Sequence, residues 1–168
     1  VEVESLDVGS VEMDCPGLED SIIAGTLVEC SITILQEENN SSSYVGDASV
    51  ASLLQAYLVN GGSSSTSSFI EYSGNLGRYT AKFVPTRSGE ALISAKFKSG
   101  SKVKETEVYT LNIIAGDANA TTSRFNCHED VLSAGTTLQC SAMFLDTFGN
   151  KITSVDSILS DMEVFAVF

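Results

Sequence analysis

The chain has 168 residues, 43% of them hydrophobic, which is enough to build a core for a bead of ~100 residues and bounds the molecule at one to two globular domains. Nine Lys plus Arg against 22 Asp plus Glu give a net charge of −13, which opposes binding to nucleic-acid phosphates or anionic lipid. No apolar run approaches the ~20 residues needed to cross a bilayer, so no direct membrane insertion is expected of this segment. Val1-Glu2-Val3-Glu4 lacks the basic start and apolar core of a signal peptide, so either a signal has been removed or the sequence is a window on a longer protein.

In chain order, Val1-Glu2-Val3 stands before Cys15 roughly as Ile113-Ile114 stand before Cys127, and reads as the tail of a preceding bead. From Val28 to Ile34 the apolar residues fall at every second position, as a half-buried strand requires, and Leu138 to Phe144 alternates with the same parity. Cys30 and Cys140 are therefore expected to point into a core. The segment Asp47 to Val59 reads either as a capped amphipathic helix or as a strand. The strand is preferred, because the matching Val164-Phe165-Ala166-Val167-Phe168 is a poor helix and a good strand. Strands follow at Leu53 to Val59, Phe69 to Tyr72, Arg78 to Val84, Ala91 to Phe97 and Val103 to Ile114. Turn residues separate them at Gly61-Gly62, Gly74-Asn75, Pro85 to Gly89 and Gly100. The short linker Ala115 to Ala120 predicts close coupling to the bead that follows.

The chain repeats itself. An offset of 110 positions (135 − 25, 140 − 30) carries Gly25 onto Gly135, Cys30 onto Cys140 and Asn40 onto Asn150, and Leu54, Ala56 and Leu58 onto Val164, Ala166 and Phe168. Such a period is too long for a solenoid unit and suits a whole small domain. The expected organisation is residues 1–9 as the tail of a preceding repeat or an exchanged strand, 10–116 as a complete β-sandwich, and 117–168 as the first strands of an incomplete second one.

Four cysteines allow three pairings, and the repeat selects Cys15 with Cys30 and Cys127 with Cys140, since each bead then carries its own bridge. Loops of this length are stabilised by roughly 3 kcal/mol in chain-entropy estimates. Such bridges persist in oxidising compartments; the competing reading is four reduced, buried thiols in a cytosolic protein. Zinc is disfavoured, because neither copy has closely spaced cysteine pairs and His128 is the sole histidine. Three sequons, at Asn39, Asn40 and Asn119, add to the extracellular reading and mark expected N-glycan sites. Ser63-Ser64-Ser65-Thr66-Ser67-Ser68 reads as an O-glycosylated stretch or as an ordinary flexible loop.

The run Gly77-Arg78-Tyr79-Thr80-Ala81-Lys82-Phe83-Val84-Pro85, followed by Gly89 and a strand, resembles the Gly-x-Tyr, x-Pro, x-Gly segment of filamin-type immunoglobulin-like repeats. Ala134-Gly135 with Asp146-Thr147-Phe148-Gly149-Asn150 is similar to the opening strands and Gly-Asn turn of the same family. The resemblance implies an all-β fold of tandem immunoglobulin-like sandwiches. Cytoskeletal filamin rods are cytosolic and need no bridge, so the stapled beads here point to extracellular relatives. The lack of tryptophan, and cysteines on neighbouring strands, argue against antibody-type domains.

The inventory for catalysis is thin. His128 adjoins Cys127, but Cys127 has a bridging partner and the matching stretch of the first bead, Cys15 to Asp20, has no histidine. Glu19-Asp20, Glu129-Asp130, Asp146 and Asp156 would hold calcium between beads or form a solvated acidic surface; no spaced ligand loop is present. No catalytic residue, metal or cofactor is expected. Two functions fit: a repeat unit of a surface filament, appendage or adhesive array whose partners are copies of itself or neighbouring repeats, or a recognition ectodomain that binds a protein or glycan. The incomplete bead would leave Leu138, Ala142, Phe144, Val164, Ala166 and Phe168 uncovered, to be capped by following residues or by a strand exchanged from another chain, with Val1-Glu2-Val3 the nearest candidate.

Overall fold

A computed structural model describes residues 8–17, 21–38, 41–66, 69–128, 133 and 135–154. In chain order the strands are β1 (Ser10–Asp14), β2 (Ile22–Ile23), β3 (Val28–Glu38), β4 (Ser41–Tyr44), β5 (Leu54–Asn60), β6 (Ser63–Thr66) and β7 (Phe69–Tyr72). They continue as β8 (Arg78–Phe83), β9 (Gly89–Ser99), β10 (Lys102–Glu105), β11 (Tyr109–Ile114), β12 (Arg124–Cys127) and β13 (Cys140–Met143). One sheet runs β1-β3-β8-β7 with β4 also on β3; the second runs β2-β11-β9-β5-β6 with β10 also on β9.

The two sheets enclose one core because their alternating residues agree on which face is inward. Met13, Cys30, Ile32, Ile34, Tyr79 and Phe83 enter from the first sheet; Leu54, Ala56, Leu58, Ile93, Phe97 and Leu111 enter from the second. Every one is buried, as the period of two demands for a sheet covered on one side. The Gly-x-Tyr segment has a physical reason here. A Cβ on Gly77 would lie 2.7 Å from the carbonyl oxygen of Ile34 and 2.8 Å from the backbone nitrogen of Val45, so only glycine lets the chain cross there. Two residues on, the Tyr79 hydroxyl donates to the carbonyl of Asp47 at 2.9 Å. Burial, with the charges of Asp47 and Tyr72 adding, pushes that hydroxyl up to about 12, so it stays a neutral donor at physiological pH.

Four expectations are corrected. Asp47 to Val59 is not a single strand: Asp47 caps a 3-10 helix, Ala48–Leu53, by accepting from the Ser49 amide at 2.9 Å, and the strand begins at Leu54. The cap outweighs strand propensity for one short turn, after which pairing with β9 wins. Val103 to Ile114 is broken into β10 and β11, both on β9. At the break the buried Thr106 puts its hydroxyl where a ladder carbonyl would stand, accepting from the Ala95 amide at 2.9 Å. Ser63–Thr66 of the serine tract is strand β6, paired with β5, and not a loop; the backbone ladder is indifferent to side-chain polarity. The fourth concerns Cys140. It does not point into a core: all of β13 is exposed, because among the described residues β12 and β13 form only a two-stranded sheet with no facing layer. Sequence reading also missed β2, which pairs parallel with β11 and carries the chain from one sheet to the other between Cys15 and Cys30.

Candidate functional site

Cys15 and Cys30 are joined, with Cys15 6% exposed and Cys30 fully buried. Cys127 and Cys140 are joined as directly opposed residues of the β12–β13 ladder. His128 is exposed, and its backbone amide donates to the Gln139 carbonyl. Among the described residues no three of His, Cys, Asp and Glu cluster as a metal site would require. Glu19-Asp20, Glu129-Asp130, Asp156, Val1-Glu2-Val3, Val164, Ala166, Phe168 and the sequon residues Asn39 and Asn40 lie outside the described residues.

Asn119 is half-buried in a turn. Its Oδ1 accepts from the Thr121 amide at 2.8 Å and the Thr121 hydroxyl at 2.5 Å, and its Nδ2 donates to the Thr147 hydroxyl at 3.3 Å. An N-glycan on Nδ2 would compete with that last bond.

Among the described residues, the most developed polar geometry lies where the second segment meets the first sandwich. At this pole three pieces of the sandwich are tied by backbone bonds: Ala24 N–H donates to Ile114, and Gly25 N–H donates to Pro85 at 2.7 Å. The Pro85 to Ser88 loop is held in turn by the buried Asn60, whose amide donates to the Arg87 carbonyl at 2.6 Å. Onto this platform sits the turn Asp146 to Asn150. Its geometry is local in origin: Asp146 Oδ1 accepts from the amides of Phe148 (2.9 Å) and Asn150 (2.8 Å), and Gly149 supplies a φ of 82°.

Two side chains of that turn make the joint. Asp146, 1% exposed, turns Oδ2 to the Gly116 amide at 3.0 Å and to Asn150 Nδ2 at 2.8 Å. Asn150, 8% exposed, donates from Nδ2 to the Thr86 carbonyl and accepts on Oδ1 from the Ser88 amide, both at 2.8 Å. Burial alone would raise the Asp146 carboxyl; the Asn150 side chain and the amides of Gly116, Asn150 and Phe148 outweigh it and hold the group below its ordinary value. Four donors occupy this carboxylate, so it is a structural charge satisfied by protein and not a spare calcium ligand. Packing completes the contact: the Phe148 ring lies so close over Gly25 that a Cβ there would be 2.7 Å from it.

Compared by sequence, the chain matches no protein-family profile and no curated protein. Among solved structures it is similar to invasin, a bacterial integrin-binding protein, with 20% identity over 85% of this chain and 27% of that one and a TM-score of 0.51. It is also similar to the Escherichia coli adhesin FdeC, with 18% identity over 86% of this chain and 42% of that one and a TM-score of 0.46. Domains 5–6 of the S-layer protein SbsC match at 15% identity, over 86% of this chain and 66% of that one, with a TM-score of 0.29. At these identities the likeness concerns fold alone, and of these three invasin carries it. The fold resembles immunoglobulin-like domains of bacterial adhesins. The chain spans about a quarter of the invasin structure.

Sequence reading placed Asp146 and Asn150 at a Gly-Asn turn, with Asp146 a calcium ligand or a solvated carboxylate, and missed the joint. One signal could have found it: Asn150 keeps the register of Asn40 under the same offset that matches the glycines and cysteines.

Proposed function

We propose that this chain is a non-enzymatic structural segment of an extracellular surface protein, in which tandem β-sandwich beads stack end to end to carry an adhesive array or filament. Residues 10–116 are one bead, into whose core Val8 also packs, and residues 117–168 open the next; the residues before Val8 are the tail of a preceding repeat or an exchanged strand. The observation that carries the reading is the joint, because a buried aspartate, a buried asparagine and an aromatic ring hold the second segment against the first where a flexible linker would need none of them. A bridge in each bead, Cys15–Cys30 and Cys127–Cys140, suits an oxidising exterior. Glycans on Asn119 and on Asn39 or Asn40 belong to the same reading. The filamin-type assignment rests on the Gly77 to Gly89 segment, and the similarity to invasin favours the bacterial-surface variety of the sandwich.

Small-angle X-ray scattering of the intact chain at neutral pH, with non-reducing peptide mapping of the same material, tests this. A single elongated particle with a fixed inter-segment distance and two intra-bead bridges is expected. A broad distribution of distances, or free thiols in freshly isolated protein, overturns it.

A further inference from the structure

The contacts of the joint divide along the chain into a receiving set and an entering set. The receiving groups all lie at or before Gly116: Gly25 under the ring, the Thr86 carbonyl, the Ser88 amide and the Gly116 amide. The entering groups all lie on the turn Asp146 to Asn150, which is shaped by its own Asp146 Oδ1 bonds. That turn is gripped from behind by its own segment, where the Asn119 amide and the Thr122 hydroxyl donate to the Leu145 carbonyl at 2.8 and 3.2 Å. Between the two sets stand Asp117 and Ala118. Both are exposed, both border a groove shared with Ile23, Ile114 and Ile152, and neither forms a hydrogen bond among the described residues.

We infer that the platform also accepts the Asp146–Asn150 turn of a second copy of this chain, so that copies link by exchanging their second segments across a hinge at Asp117-Ala118. This rests on the tandem-bead reading above and specifies how copies would join. The occupant is defined by what is seated there already: a carboxylate, an aromatic ring and an amide on one tight turn, meeting Gly116, Gly25 and the Thr86 to Ser88 backbone. None of those contacts requires the receiving and entering groups to belong to one polypeptide, so exchange keeps them all. The first bead's own hairpin is no substitute. The offset places Gln36 and Glu38 where Asp146 and Phe148 stand, and the hairpin is longer, with Leu35 paired to Tyr44 where Leu145 meets Lys151. Concentration decides between the two partners. A short tether presents its own turn at an effective concentration on the order of millimolar, so a dilute chain closes on itself, whereas copies crowded together exchange, pairwise into a closed dimer or successively into an open head-to-tail string.

Two altered full-length copies separate receiving from entering. One, Asp146→Ala with Asn150→Ala, keeps the platform and loses the turn. The other, Gly25→Ala, keeps the turn and loses its seat, because the new Cβ would lie 2.7 Å from the Phe148 ring. With the first copy isotopically labelled, hydrogen exchange at its Ser88 and Gly116 amides should slow roughly threefold or more when the second is added at about millimolar concentration. Translational diffusion should show a dimer in the mixture and a monomer for each copy alone. Adding Phe148→Ala to the second copy should remove both effects. Protection in the β9 ladder of the labelled copy, unchanged throughout, reports that its sandwich is folded. If Gly25→Ala does not fold, the unaltered chain at about millimolar concentration gives the same reading, as a dimer fraction that rises with concentration and is missing from the Asp146→Ala, Asn150→Ala chain. Ser88 and Gly116 amides that ignore the added copy, or equal dimer in the unaltered and turn-altered chains, overturn the inference. The scattering measurement on the dilute unaltered chain judges the tandem reading independently, since a fixed distance within a monomer needs no exchange.

Discussion

Met13, two residues before the first bridge's leading cysteine, is 5% exposed, whereas Phe125, two residues before the second's, is 55% exposed. Cys30 is buried to 0% while its counterpart Cys140 lies on a fully exposed strand. The two segments share cysteines, turn glycines, strand parity and bridge placement. Among the described residues they differ in whether a second sheet lies across the first. Strand pairing and bridge placement are thus local matters, set by a few residues on adjoining strands, but burial is a property of layers.

The largest expected effect tests that contrast directly. Met13→Ala should cost about 2–5 kcal/mol in the denaturant midpoint of the first sandwich, and Phe125→Ala should fall within roughly 0.5 kcal/mol, as surface substitutions do. Comparable losses at both positions would break the comparison, and would mean that residues outside those described cover the second sheet.

Next come the bridges. Replacing Cys15 and Cys30 together by alanine should lower the stability of the first sandwich by about 2–4 kcal/mol. The second bridge should show its difference in kinetics: under limiting reductant Cys127–Cys140 should open before Cys15–Cys30, because attack on a disulfide requires access to sulfur. Alkylation of partly reduced protein followed by mass mapping gives the order, and simultaneous opening would show that burial does not distinguish them.

A smaller effect is expected at the joint. Asp146→Ala leaves the amides of Gly116, Phe148 and Asn150 without their acceptor, at a cost of about 1–3 kcal/mol, read as faster exchange at those amides while the core of the first sandwich keeps its protection. The same site sets a pH dependence. The folded-state pKa of Asp146 lies below its unfolded value of 3.8, so its contribution is fully present above that value and is lost as pH falls through the lower, folded-state pKa. Acid titration followed by the Gly116 and Ser88 amide shifts should show the joint loosening only in that acid range. Loosening near neutral pH would assign the joint to some other group.

The smallest effect belongs to the surface. Lys96 and Glu105 approach to 2.7 Å across β9 and β10 but remain solvated, so Glu105→Gln should leave the melting temperature unchanged within error. A clear drop would mean that this edge is covered in the native material.

Much of the sandwich was legible because alternation reports directly on one-sided burial: Arg78 to Val84 and Ala91 to Phe97 are strands of nearly the expected bounds. The elements that escaped are those fixed by the strand beside them and not by a pattern of their own. β2 is two residues long and exists because Ile113 and Ile114 lie beside it, and β6 is a serine run that pairs because β5 offers an edge. Likewise the capped turn at Ala48–Leu53 and the break at Thr106 each depend on the hydrogen bonds of one side chain, Asp47 and Thr106, too small a signal to outweigh a hydrophobic pattern.

By itself the sequence determined the period, the alternation of the first sandwich's strands and the assignment of one cysteine pair to each copy of the repeat. These follow from residue types and spacing and require no knowledge of what lies opposite. Only the tertiary structure decided that Asp146 and Asn150 are buried, that Phe148 rests on Gly25, and that one bridge is sealed and the other open. Each depends on groups many residues apart being brought to van der Waals or hydrogen-bond distance, and a linear pattern carries no term for the layer that will cover it.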